Sequence, residues 1–173
     1  MKAAPDRAEL FLEEIEAHKQ ILHKVSRAYC AGREDRADLV QEIVVQLWRS
    51  FASFEGRAKF STWMYRIALN VAISFQRRNR ANGRDRAHAD GELLQYVAAP
   101  EPEPGSEAID ELYRRIARFE DFDRALILLY LDGNPHAAIA EVLGISLTNV
   151  ATRISRLKER LRQGSGGEGS ANS

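Results

Sequence analysis

Cysteine is nearly missing from this chain of 173 residues: Cys30 stands alone. That excludes an intramolecular disulfide and any cysteine-based metal site, and it makes a lone thiol in a helical pattern a small core residue. The four histidines, His18, His23, His88 and His136, are scattered, with no HExxH-type spacing. A glycine-rich phosphate loop and a nucleophile–base set are absent too, so no metal, no cofactor and no enzymatic activity are expected. Aromatic residues make up only 8%, glycine is sparse outside the C-terminal tail, and long alternating β-branched runs are missing. An all-α chain follows. No apolar run approaches the roughly 20 residues needed to cross a bilayer, and the start, MKAAPDRAELFLEE, lacks the apolar region of a signal peptide. The expected setting is the cytoplasm, away from membranes. Net charge is absent as well, 25 Lys and Arg against 25 Asp and Glu, which excludes a uniformly basic nucleic-acid coat.

What is present is pattern. Hydrophobic residues reach 45%, enough for a packed core. The zero charge hides local clusters: Arg77, Arg78, Arg80, Arg84 and Arg86 lie close together, Arg153 to Arg162 form a second basic block, and residues 90–123 between them are acidic. Local sign governs partners more than the sum does. Phe11, Ile15, His18, Leu22, Val25 and Tyr29 recur at three- and four-residue steps, the mark of a helix face that Gly32 should end. Asp35 or Asp38 should start the next helix, with Leu39, Ile43, Leu47 and Trp48 inward and Asp38, Gln41 and Glu42 outward near its N-terminal end. Phe54 to Phe60 reads as a short loop bracketed by aromatics. Ser61 or Thr62 should then cap a helix with Trp63, Met64, Ile67, Ala68, Val71 and Phe75 on its apolar side. Arg66, Asn70 and Arg77 share another side, with Tyr65 and Gln76 further round. Arginines, an amide and aromatics suit single-stranded nucleic acid, where phosphates pair with guanidinium groups and unstacked bases meet amides and rings. An ordinary decorated surface is the competing reading.

From Asn82 to Ser106 periodicity fails, and Pro100, Pro102 and Pro104 favour extended backbone. The expected organisation is therefore two small helical domains, 7–81 and 108–163, joined by a flexible acidic linker, 82–107, and followed by a disordered Gly/Ser tail, 164–173. In the second domain, Phe122, Ala125, Leu126, Leu129 and Tyr130 form a buried face closed by Gly133. Asn134 should cap a helix with Pro135 in its first turn, Gly144 should end it, and Ser146 should cap the next. Val150, Ile154, Leu157 and Leu161 make one narrow stripe. Opposite lie Asn149, Thr152, Arg153, Arg156 and Arg160, the outfit of a helix-turn-helix reading the major groove. A plain helical hairpin with a solvated basic face is the alternative.

These stretches carry a family resemblance. DLVQEIVVQLW (Asp38–Trp48) followed by FEGRAKFSTWMYRIALNVAI (Phe54–Ile73) closely resembles conserved region 2 of the extracytoplasmic-function (ECF) sigma factors, a subfamily of the sigma-70 family. DFDRALILLYLDGNPHAAIAEVLGISLTNVATRISRLKERL (Asp121–Leu161) resembles their region 4. The resemblance implies a region 2 helical bundle and a region 4 helix-turn-helix, and partners in core RNA polymerase, through its β and β′ subunits, and promoter DNA. It implies that Asp38, Gln41 and Glu42 dock on the β′ clamp helices. Phe60, Thr62, Trp63, Tyr65, Arg66 and Asn70 would hold the melted −10 strand, with Arg77 and Arg78 on phosphates; Met64 replaces the usual Leu. Thr148, Asn149, Thr152, Arg153, Arg156 and Arg160 would read the −35 duplex. Two departures stand out: Val150-Ala151-Thr152-Arg153 replaces a VKSR-like start, and Pro135-His136-Ala137-Ala138 replaces a Tyr/Glu-rich one. A monomer when free, with an anti-sigma factor as candidate partner, completes the expectation. The competing functions are a helix-turn-helix regulator without sigma activity and a sigma-like decoy that binds polymerase without initiating.

Overall fold

The computed structural model describes residues 4–82 and 107–164. Among them are seven helices and no strand. The chain divides into two compact units between residues 103 and 104; apart from its end residues, the expected linker lies outside the described residues, as does the tail beyond Gly164.

The first unit packs three helices, α1 (Arg7–Tyr29), α2 (Arg33–Phe51) and α3 (Phe60–Asn82), each against the other two. The α1 stripe buries Phe11, Ile15, Leu22, Val25 and Tyr29, as its spacing predicts. His18 interrupts it with φ −119° and ψ 15°, a bend inside the helix. Its Nδ1 donates to the Glu14 carbonyl at 2.9 Å and its ring lies 5.2 Å from that of Phe60, so a boundary role is satisfied. The expected helix ends need revision. α1 stops at Tyr29 rather than Gly32, and α2 begins at Arg33 rather than beyond Asp35. The Arg36 guanidinium explains the early start: it donates to the carbonyls of Cys30 (3.0 Å) and Ala31 (3.2 Å), satisfying acceptors just past α1 and tying the turn to α2. Cys30 itself is buried.

α3 likewise starts earlier than expected, at Phe60, which puts Ser61 and Thr62 inside the first turn instead of at the cap. Its buried face is Met64, Tyr65, Ala68, Leu69, Ala72 and Phe75, rotated one position from the expected one, with Trp63, Ile67 and Val71 half-buried. The physical reason is that α3 packs on both α1 and α2, and Ala68 and Ala72 permit close approach where larger residues would hold the helices apart.

In the second unit α4 (Glu107–Ile116), α5 (Asp121–Leu131), α6 (His136–Leu143) and α7 (Leu147–Gln163) follow in order. α5 is buried from Arg124 through Leu129 without a break, because α4, α6 and α7 all pack on it. Arg124, only 3% exposed, donates to the carbonyls of Ala117 (2.6 Å) and Phe119 (2.9 Å) and so closes the turn between α4 and α5. On α4, Arg115 hydrogen-bonds Glu111, and that bond, aided by the charges of Arg114 and Arg118, holds the Glu111 carboxyl below its usual range.

Asn134 does not cap α6. Its side-chain amide donates to the Leu129 carbonyl at 2.9 Å and its backbone N–H to the same oxygen at 3.2 Å, closing the end of α5. Pro135 takes the cap position, where its missing N–H is no loss. Ser146 caps α7 as expected, accepting from the Asn149 N–H at 3.1 Å. Between them Gly144 sits at φ 67° with its N–H on the Ala140 carbonyl, and α6 and α7 meet at a bend of 103°. That angle belongs to the helix-turn-helix range. A Cβ at Gly144 would meet no atom within 4 Å, so only the left-handed backbone opposes substitution. Gly144→Ala is expected to lower the stability of this unit by about 1–2 kcal/mol, and Gly144→Asn by less, in urea titrations.

Candidate nucleic-acid interface

On α2, Leu39, Ile43, Val44 and Leu47 point into the bundle. The helical period then turns Asp38, Gln41 and Glu42 outward with Gln46 and Arg49; the first three are partly exposed and the last two exposed. Glu34 and Asp35 in the first turn add to the acidity of this helix end. Glu42 does not face solvent freely: its carboxylate accepts from Arg78 of α3 in an ion pair. Two residues assigned from sequence to different partners are thus joined to each other.

The outward face of α3 carries Trp63, Arg66, Asn70 and Arg77, one beneath another at three-, four- and seven-residue steps. Arg66, Asn70 and Arg77 are exposed and Trp63 is half-buried. Behind Trp63 stands a wall of rings: Phe54 at 4.9 Å, Phe60 at 5.2 Å and Phe51 at 6.4 Å. Phe51 continues the cluster to Phe11 at 5.2 Å, and Phe11 to Trp48 at 5.1 Å. The indole is therefore backed by aromatic packing rather than hung from a flexible loop. A preorganised ring beside an amide and two guanidinium groups can stack a base, hydrogen-bond its edge and neutralise flanking phosphates.

Three sequence-assigned residues take other positions. Tyr65 is 1% exposed, and Thr62 and Phe60 are buried, so they support this face from inside rather than present a surface. Phe54, noted in the sequence only as a loop bracket, belongs to the ring wall. Its spacing from Phe60 was the available signal, but nothing in one sequence shows a loop folding back on its helix.

On α7, Val150, Ile154 and Leu157 are buried and Leu161 half-buried, which leaves Thr148, Ala151, Thr152, Ser155, Arg156 and Glu159 outward. Thr152 Oγ1 donates to the Thr148 carbonyl at 3.0 Å. Asn149 and Arg153 lie at the flank: Arg153 Nε donates to Asn149 Oδ1 at 3.0 Å and its Nη1 lies 3.3 Å from Asp123 of α5. Arg160 Nη1 reaches the same carboxylate at 3.8 Å. Of the three arginines assigned to duplex DNA, Arg156 and Arg160 are exposed and Arg153 is half-buried, and Arg153 and Arg160 are the two that reach Asp123. Ser155 joins the outward stripe, having been overlooked because a lone serine carries little sequence signal.

Among the described residues no group of His, Cys, Asp and Glu could hold a metal ion, and no single helix is long and apolar enough to cross a membrane.

A helical bundle with a single-strand-type face and a separate helix-turn-helix define a nucleic-acid-binding protein with two grips. The sigma-70 region 2 family matches residues 15–82, and the sigma-70 region 4 family matches residues 109–161. The ECF RNA polymerase sigma-E factor of Haemophilus influenzae is 34% identical over 140 residues, covering 75% of this chain and 74% of that protein. The sigma-E factor of Escherichia coli is 33% identical over 147 residues, covering 79% and 76%. The chain belongs to the ECF sigma factors of the sigma-70 family. Its fold matches that of the sigma factor RpoE of Bartonella quintana, solved with the anti-sigma factor NepR, at a TM-score of 0.68 and 20% identity over 90% of this chain and 96% of that one. A second match is CnrH, solved with the cytosolic domain of CnrY, at a TM-score of 0.65 and 23% identity over 91% and 88%.

Proposed function

We propose that this sigma factor docks on core RNA polymerase through α2, holds the melted −10 strand on α3 and anchors on the −35 duplex through α7. The observation that carries the reading is Trp63 on the ring wall of α3, in line with Arg66, Asn70 and Arg77: a stacking surface serves unstacked bases, whereas bases inside a duplex are already stacked on each other. Asp38, Gln41 and Glu42 form the polymerase-facing patch; a basic surface of the β′ subunit suits them, and β would meet other parts of the chain. Arg78 would meet phosphate in competition with Glu42, which already shares its guanidinium. Thr148, Asn149, Thr152 and Arg156 are the duplex readers, since residues near the N-terminus of a recognition helix meet the base edges. The mechanism is differential binding, with flipped or unstacked bases preferred over the stacked duplex, and no covalent step. The free chain is a monomer, it acts where polymerase is, in the cytoplasm, and an anti-sigma factor is its candidate antagonist.

Transcription in vitro with core polymerase and a panel of promoter fragments tests the reading. Promoter-dependent transcripts support it; a need for another sigma factor would make the chain a regulator, and suppression without transcripts would make it a decoy. Arg156→Ala is expected to weaken duplex binding on the order of tenfold. If the contact is to phosphate, the slope of log K against log salt becomes shallower by about 0.9. Unchanged affinity and slope would remove α7 from the duplex assignment.

A further inference from the structure

Asp123 lies on α5, outside the recognition helix, with its side chain 23% exposed. Two guanidinium groups converge on its carboxylate, Arg153 at 3.3 Å and Arg160 at 3.8 Å. Each is also held by a ring: Arg153 lies 4.9 Å from the centre of Phe122 and Arg160 lies 4.7 Å from that of Phe119. Asn149 adds a hydrogen bond to Arg153. A single exposed ion pair holds an arginine weakly, but a shared carboxylate with a ring behind each cation makes a network. Both arginines reach the carboxylate from the flank of the stripe of Thr148, Thr152, Ser155 and Arg156, with 42% of the Arg153 side chain and 57% of the Arg160 side chain still exposed.

We propose that Asp123 is a specificity-determining residue of the duplex reader, because it withholds Arg153 and Arg160 from DNA phosphates. The proposal rests on the assignment of α7 to duplex DNA. Phosphate contacts strengthen binding to every sequence alike, whereas base-edge contacts discriminate. Keeping two cations on α5 holds non-specific affinity down and leaves the choice of site to the short polar residues and Arg156. Removing the carboxylate charge releases both arginines to the backbone.

The test uses the full-length chain and two probes: a random-sequence DNA duplex, and the duplex that the wild-type chain enriches from a random pool. Fluorescence anisotropy between about 50 and 200 mM salt gives affinity and salt slope, since each added phosphate contact contributes about 0.9 to the slope. Asp123→Asn is expected to steepen the slope on the random duplex by about 0.9 to 1.8 and to raise affinity there roughly three- to tenfold at the lowest salt. The preference for the enriched duplex falls accordingly. Asp123→Glu keeps the wild-type slope, and adding Arg153→Gln and Arg160→Gln to Asp123→Asn restores it. Asp123→Ser repeats the measurement should the Asn variant fail to fold. A wild-type slope in both Asn and Ser variants overturns the proposal, as does a steepened slope that survives loss of both arginines. Arg156→Ala separates the two levels: if it leaves binding to the enriched duplex unchanged, the assignment of α7 itself fails. If it weakens that binding while Asp123→Asn changes nothing, only the role of Asp123 fails.

Discussion

Replacing Arg124 with alanine is expected to unfold much of the second unit while leaving the first intact. Arg124 is the charged residue placed deepest in that unit, and its guanidinium satisfies two carbonyls, those of Ala117 and Phe119, beyond the end of α4. Carbonyls at a helix end need partners from outside the helix, and truncation leaves that of buried Phe119 without its donor, whereas exposed Ala117 can turn to water. The one buried unmet acceptor costs about 1–3 kcal/mol, and loss of the packed aliphatic stem adds to it. A unit of about sixty residues is stable by only about 3–9 kcal/mol, so the loss takes a large share. Hydrogen exchange resolved by peptide checks this: α4 to α7 should lose protection while α1 to α3 keep theirs. Arg124→Lys, which supplies charge without the planar fork, is expected to fall between. Wild-type protection in Arg124→Ala would show that the turn between α4 and α5 is held by other means.

Asn70→Ala should leave the fold untouched and disable strand capture. The side chain is exposed on α3, and alanine is the better helix former, so stability should hold or rise by a few tenths of a kcal/mol. The amide is the group on that face able to donate to and accept from a base edge at once. An amide–base pair discriminates by about 1–3 kcal/mol, which is on the order of ten- to a hundredfold in the population of melted promoter. Fluorescence of 2-aminopurine placed in the −10 element, with polymerase present, reads that population, and binding of a duplex −35 fragment should be unaltered. Normal melting by the variant would count against the α3 assignment. Trp63→Ala is a poorer probe, because its ring also packs on Phe54 and Phe60.

The sequence made the helical class, both units and the helix-turn-helix readable, because apolar residues repeat at helical spacing and Gly144 and Ser146 occupy positions with strong local preferences. What escaped it was decided by tertiary contacts. Arg36 pulls the start of α2 forward by bonding carbonyls five and six residues back, which no propensity encodes. α3 is apolar over so wide an arc that periodicity could not tell Tyr65 inside from Trp63 at the rim; packing against two neighbours chose. Charges were the least legible. Arg153 and Arg160 were assigned to the −35 duplex and Arg78 to phosphates, and nothing in the sequence signals that each is also met by a carboxylate from another helix. Asp123 carried no more signal than any surface charge and Glu42 was placed in the polymerase-docking patch, and only the folded chain shows them as counter-ions.

The Glu42–Arg78 pair has a thermodynamic consequence if α2 meets polymerase and α3 meets DNA as proposed. Where binding of either partner separates the pair, whichever binds first bears that cost for both. The second then finds its arginine or carboxylate already released. Linkage requires the effect to be reciprocal: polymerase strengthens the hold on the promoter strand by the same factor by which the strand strengthens the hold on polymerase. An ion pair this exposed is worth at most about 1 kcal/mol, so the coupling amounts to a factor of a few in each direction.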